Sequence, residues 1–339
     1  ALHAQDFKLT SSGYFKNQGV DVMAFDDIYP EGHQGGVCII MNGHRVATNG
    51  DIRLEATPGQ WQPVPKQLDR KLSDNSITAT LCYPDSSRHL TGFNPMIYPD
   101  LHLIYTVQVE SKGKHIEVTV DLDRPIPQEF IGKVGFNLEF FPGSLFGKPW
   151  IMDGQSGIFP QQPNSPLMTT QPNYLHTGNY HDGKQSLADM DKLIGKGYSP
   201  IVADDIISEP YAKGRKFTSR PDDPYNKVTI ESLSGDLQLF DGRMNHNNGW
   251  FVLRSNIKPG VTKGAVKWII TPNVVADWMY QPVIQTSQIG YHPAQDKEAV
   301  IEMDIRDNRK ETAQIIRIDA DGEKVVKNVT PADWGKFLR

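Results

Sequence analysis

The chain has 339 residues, 38% of them hydrophobic and 22% charged, which suits a folded globular protein of about two domains and argues against disorder. Its formal net charge is −5, it has no basic tract, and no apolar run approaches the roughly 20 residues of a membrane helix, so neither nucleic acid nor a membrane is expected as a partner. Phosphate-cradling Gly-rich loops, nucleophile elbows and dinucleotide fingerprints do not occur in the sequence, and no cofactor is expected.

Ala1-Leu-His-Ala-Gln-Asp6 reads as the end of a cleaved secretory signal, with residues 1–4 as its remnant, so a secreted or periplasmic location is expected. Cys38 and Cys82 each lie in a strand-like apolar run. They are expected as two buried free thiols, with a disulfide as the alternative.

Strand signals then follow along the chain. A strand is expected over 77–81. Tyr105, Val107 and Val109 alternate with polar neighbours, residues 111–114 supply a turn, and Ile116, Val118, Val120 and Leu122 alternate on the return, the pattern of a hairpin with one buried face. Further strands are expected over 134–140, 228–231, 237–240, 251–255 and 265–270. Residues 141–225 are rich in Pro, Asn and Gln, and their one helical signal lies at 186–194, where Leu187, Met190, Leu193 and Ile194 share a face. Long irregular segments of this kind are usually functional or pack on a neighbour.

Closely spaced strands with 29 Gly and 24 Pro predict an all-β protein, a large antiparallel β-sandwich over residues 5–280. A connector is expected at 277–282. From Val283 a second β module begins, with a hairpin turning at Asp319-Ala-Asp-Gly322. Immunoglobulin-like sandwiches use about seven strands in roughly 100 residues. Residues 283–339 are too few, so this is expected to be a partial immunoglobulin-like β-sandwich.

Ser287-Gln-Ile-Gly-Tyr291, with Pro293, Lys297, Ala299 and Val300, resembles the first strand of the immunoglobulin-like module that precedes the catalytic barrel in family-9 glycoside hydrolases. Earlier segments resemble the long amino-terminal domain of one bacterial subgroup of that family. They are Gly43 to Leu54, Gln60 to Pro65, Gly135 to Phe140, Phe146 to Asp153, Gly157 to Pro160, Asp241 to Arg243 and Asn248 to Arg254.

The resemblance implies a parent enzyme that hydrolyses O-glycosidic bonds with inversion, in β-glucan or a related oligo- or polysaccharide, on a barrel of paired helices. In the family the base is an Asp in an Asp-Ala-Gly-Asp-like motif, and the acid is a Glu near the carboxyl end. Neither motif occurs here, so no catalytic residue is assigned, and the catalytic barrel is expected downstream in the same polypeptide. Gly335-Lys-Phe-Leu-Arg339 ends where a trypsin-like protease cuts, and a proteolytic or engineered end is the expectation there.

Other candidate chemistry carries a plainer alternative. Asp26-Asp27, Asp204-Asp205 and Asp222-Asp223 read as turns or caps, because neighbours in an extended strand point to opposite faces. Glu139 reads as a solvated or ion-paired strand residue, with a place in a sugar cleft as the alternative. His176, His181 and Asp182 match no established zinc spacing, and Asp319-Ala-Asp-Gly lacks the later ligands of a calcium loop, so no metal is expected.

Aromatic rings stack on the apolar face of a pyranose, which makes Trp61, Trp150, Tyr174 and Tyr180 the candidate substrate-binding residues, with packing as the competing role. Trp250 and Trp268 read as core. Three functions therefore stand side by side. They are a non-catalytic support for the barrel, a carbohydrate-binding module using exposed aromatics, and a catalytic sandwich pairing His33, His44, His89 or His102 with Glu139.

Overall fold

The clearest alternation in the sequence, at Tyr105–Val109 and Ile116–Leu122, forms an antiparallel hairpin whose apolar side chains are all buried. In this computed structural model, which describes residues 6–26, 35–55, 58, 65–83, 101–163, 167–169, 206–244, 249–309 and 311–336, the chain divides into two units, Ala1–Ala276 and Asp277–Arg339. The helical signal at 186–194 lies outside the described residues.

The first unit begins with β1 (Lys8–Leu9), β2 (Phe15–Asn17), β3 (Val20–Ala24), β4 (Val37–Met41), β5 (His44–Leu54), β6 (Lys66–Leu72) and β7 (Ser76–Cys82). Next come β8 (Ile104–Lys112), β9 (His115–Leu122), β10 (Val134–Phe140), β11 (Pro149–Met152), β12 (Gln155–Ile158), β13 (Leu167–Thr169) and β14 (Ile206–Ser208). It closes with β15 (Ala212–Gly214), β16 (Lys216–Ser219), β17 (Val228–Ser232), β18 (Leu237–Asp241), β19 (Phe251–Asn256) and β20 (Val266–Pro272).

Among the described residues these strands build two nine-stranded sheets, ordered β1-β2-β3-β4-β5-β10-β19-β18-β15 and β12-β11-β16-β17-β20-β9-β8-β7-β6, while β13 and β14 pair with each other. The fold is an all-β antiparallel sandwich. Phe136 of β10 meets Trp268 of β20 edge to face at 4.9 Å, and Phe140 meets Phe217 of β16 at 5.8 Å, so side chains of the two sheets interdigitate in one core. The Trp268 indole N–H, inside that core, donates to Ser255 Oγ at 3.1 Å.

The two sheets differ in their outer faces. In β8 and β9 buried positions alternate with more exposed ones, as expected of a sheet with one face toward water. In β10 every residue is buried, and in β5 every residue from Val46 to Leu54 is. Glu139 was expected to be solvated or ion-paired, and it is not solvated. It is 3% exposed, because the centre of the first sheet is covered on both sides. Both cysteines are free thiols. Cys38 is buried, whereas Cys82, at the end of β7 and paired with Lys66 of the edge strand β6, is partly exposed.

The second unit holds two ribbons, β21 (Val283–Gln285) with β22 (Val300–Glu302), and β23 (Ala313–Asp319) with β24 (Gly322–Val329). The Asp319 side chain accepts the Asp321 N–H at 3.0 Å, which closes the hairpin turn at the Asp-Ala-Asp-Gly sequence. Among the described residues of this unit only Asp304 is buried. Its carboxylate accepts the Tyr280 N–H and a two-pronged bond from Arg306, each at 3.0 Å.

Phe136 lies at the centre of the inter-sheet core. Replacing it with Ala should destabilise the first unit by about 3–5 kcal/mol, read as a lower denaturation midpoint with unchanged slope. A loss under about 1 kcal/mol would contradict this packing.

Candidate functional site

Three adjacent strands at the centre of the first sheet carry charge into a buried place. Strand β10 pairs with β19 and with β5, bringing Asn137 opposite both Arg254 and Asp51, and Gly135 opposite Arg53 and Asn256. Phe136, Phe140 and Ser255 face the second sheet, so by strand alternation Asn137, Glu139, Arg254 and Asn256 face away from it.

Glu55, Asn137 and Arg254 form a closed knot. Asn137 Nδ2 donates to Glu55 Oε1 at 2.6 Å, and Arg254 Nη1 donates to Asn137 Oδ1 at 3.1 Å and to Glu55 Oε1 at 3.4 Å. Arg254 Nη2 reaches the Glu55 carbonyl at 2.9 Å and its Nε reaches Asn256 Oδ1 at 2.7 Å. Gly135 makes room for this fork. A Cβ there would lie 2.9 Å from Arg254 Nε and from Asn256 Oδ1. Glu55 and Arg254 are each only 1% exposed, so this is a desolvated ion pair whose hydrogen bonds offset the cost of burial.

A second group stands beside it. Tyr105 Oη donates to Asp51 Oδ1 at 3.0 Å, the Ile52 N–H reaches the same oxygen at 2.7 Å, and Tyr83 Oη donates to the Ile52 carbonyl at 3.0 Å. Asn49 Nδ2 donates to Glu139 Oε2 at 2.6 Å. Asn49 is aimed there by a β-bulge. Asn137 pairs with Asp51 and Glu139 with Thr48, so Leu138 alone faces both Asn49 and Gly50. Asn49 takes φ 55, a left-handed conformation Asn tolerates, and Gly50 fits where a Cβ would stand 2.6 Å from Val37 Cβ.

Burial dominates the electrostatics. It pushes the Glu55 carboxyl up to about 7, against the pull of Arg254 and with a further push from Glu139. Asp51 is pushed up to about 6 by burial, opposed by Arg53 and by its two hydrogen bonds. Burial works against the Arg53 charge too, but Glu139, then Asp51, Tyr83 and Glu55, hold its pKa above the ordinary arginine value.

The sequence candidates fall elsewhere. Trp150 is 6% exposed on β11, lying against Gly157 and 6.5 Å from the Tyr211 ring, so it presents no open face to a sugar. Trp61, Tyr174 and Tyr180, the His176–Asp182 group, His33, His89 and the pair Asp204-Asp205 lie outside the described residues, as does Asp27. His44 and His102 are exposed, whereas Glu139 is buried. Asp223 does serve a turn, accepting the Tyr225 N–H at 2.9 Å and the Asn226 amide at 3.0 Å.

Trp268 is core, whereas Trp250 sits half-buried just before β19, edge-on to Phe141 at 4.5 Å. Among the described residues no group of three or more His, Cys, Asp and Glu side chains is placed to hold a metal ion. Of the residues that do converge, Glu139 alone was singled out from the sequence. Asn49, Asp51, Arg53, Asn137, Glu139 and Arg254 nevertheless all lie in the Gly43–Leu54, Gly135–Phe140 and Asn248–Arg254 segments, and charged side chains inside strand-like apolar runs were the available signal.

No protein-family model matches the chain, and no curated protein matches its sequence. Among solved structures, the Slr1438 protein from Synechocystis sp. PCC 6803 is similar with a TM-score of 0.36 and 9% identity, over 79% of this chain and 96% of that one. A galactose mutarotase-like protein from Lactobacillus casei ATCC 334 is similar with a TM-score of 0.34 and 12% identity, over 76% of this chain and 98% of that one.

The raised carboxyls set a pH dependence opposite to that of ordinary surface acids. A carboxyl whose pKa is higher folded than unfolded stabilises fully below its unfolded value and loses that contribution as pH rises through its folded value. For Glu55 the window runs from the ordinary carboxyl value of 4.5 to about 7, and for Asp51 from 3.8 to about 6. One pKa unit is worth about 1.4 kcal/mol, so the Glu55 contribution is on the order of a few kcal/mol. Stability measured by denaturant titration should fall across this window. Glu55→Gln, which keeps the acceptor for Asn137 and Arg254, should flatten the fall, and an unchanged slope in that variant would contradict the assignment.

Proposed function

We propose that this chain is the non-catalytic front of a glycoside hydrolase of the family-9 type, supporting a catalytic helical barrel carried by the same polypeptide, with β-linked glucan or a related oligosaccharide as the substrate of the parent enzyme. The resemblance of segments between Gly43 and Val300 is what suggests the family. The observation that carries the non-catalytic reading is the internal engagement of the sandwich carboxylates.

Inverting hydrolysis needs two carboxyls about 6.5–9.5 Å apart with room for the attacking water. Glu55, whose carboxyl burial pushes up to about 7, is 1% exposed and tied to Asn137 and Arg254. Asp51 is likewise 1% exposed and held by Tyr105 and the Ile52 N–H. Neither can reach a glycosidic oxygen without dismantling the bonds that keep it in place.

The second unit fits the same reading. Ile289 is 99% exposed, Ile318 75% and Trp334 81%, and Ile316 and Val325 pair on the β23–β24 ribbon with both side chains exposed. Apolar side chains gathered on so small a unit call for a covering layer. Further strands of an immunoglobulin-like sandwich would supply one.

Two measurements test the proposal. The open reading frame beyond Arg339 should encode a helical barrel with an Asp-rich base motif and a later acidic Glu; a stop codon there would sink the idea. The 339-residue chain itself should release no reducing ends from β-glucan or cello-oligosaccharides. A hydrolytic or sugar-epimerising rate abolished by Glu139→Gln would overturn the support role in favour of a catalytic sandwich.

A further inference from the structure

Two polar atoms of the buried cluster lack what the others have. Asn49 Oδ1 and Arg53 Nε are both buried and without a hydrogen-bond partner, on residues 8% and 7% exposed. Leaving a buried donor or acceptor unsatisfied costs about 1–3 kcal/mol, more for a charged group, so two beside one cluster call for an explanation.

Glu139 links them. Asn49 uses its Nδ2 on Glu139 Oε2 at 2.6 Å, which leaves its carbonyl oxygen as the open acceptor. Glu139 is also the charge that favours the Arg53 cation most strongly. The bulge and the φ 55 of Asn49 hold this arrangement against local backbone preference, a device common beside functional sites.

The ligand chemistry follows from what is missing. The absent group must donate to Asn49 Oδ1 and accept from Arg53 Nε. A hydroxyl does both. A phosphate or carboxylate accepts only, and would stand among Asp51, Glu55 and Glu139. A metal cation would satisfy the amide oxygen and leave the guanidinium N–H bare. Asn49 and Arg53 lie on β5 on either side of Asp51, with the strand bent by the bulge at Asn49-Gly50, and Glu139 reaches Asn49 from β10.

We propose that Asn49, Arg53 and Glu139, on the covered face of the first sheet, bind a neutral polyhydroxylated ligand, one sugar ring, with one hydroxyl on the Asn49 carbonyl and another on the Arg53 Nε. This goes beyond the support role and does not rest on it, since a domain that cuts no glycan can still hold one.

Isothermal calorimetry of the 339-residue chain against glucose, xylose, galactose and cellobiose tests it, with inorganic phosphate and calcium chloride run separately. A neutral sugar should bind with a Kd in the millimolar range or tighter, at or above about 4 kcal/mol of binding energy. Arg53→Lys keeps the positive charge among the carboxylates and removes the Nε donor. Asn49→Gly keeps the left-handed backbone and removes the acceptor. Each should weaken sugar binding about tenfold or more while retaining a cooperative thermal transition. Absence of heat with all four sugars, binding of phosphate or calcium in their place, or sugar affinity unchanged in both variants would overturn the proposal. Hydrolysis is read in a separate assay, so failure here leaves the support role standing, and failure of the support role leaves this binding measurement intact.

Discussion

The first sheet is buried on both sides at its centre, and that constraint governs everything polar placed there. Strands β5, β10 and β19 have no face left for water at the sheet centre, yet they carry Asp51, Arg53, Asn137, Glu139 and Arg254, with Glu55 directly after β5. A charge in such a place is tolerated only when neighbouring groups replace its hydration. The Glu55–Asn137–Arg254 knot does this with side chains from three strands, so the register of the central sheet and the satisfaction of its charges depend on each other. A slip of one residue would turn Arg254 toward the aromatic core and leave Glu55 without its cation.

Where one face met water, the sequence was easy to read. The β8–β9 hairpin, β17 and β20 alternate, and the spans expected over 228–231, 237–240 and 265–270 agree with the observed β17, β18 and β20 to within two residues. Strand β5 was hidden for the opposite reason. With both faces buried its sequence does not alternate, and Asn49-Gly50-Asp51 has the composition of a turn. It proves to be a bulge inside an eleven-residue strand.

The polar cluster was legible only in fragments. Each contributing segment could be seen, but the contacts joining Glu55 to Arg254 span 199 residues of chain, and no local spacing announces them. Trp150 was hard to place for a different reason. Trp150 has the loop-like Pro149 before it and polar Asp153 after it, yet it packs inward because Gly157, its partner across β12, leaves room for the indole. Its neighbourhood was readable; the cross-strand vacancy that receives it was not.

The margins of the two sheets also have a consequence. Strand β6 ends the second sheet with Lys66, Asp69, Arg70 and Lys71 among its seven residues, and β1 and β15 end the first with only two and three residues. A wide ribbon with bare, greasy borders would recruit stray strands from other molecules and grow into fibres. Here one border of the second sheet is studded with charge and both borders of the first are too short to template a newcomer.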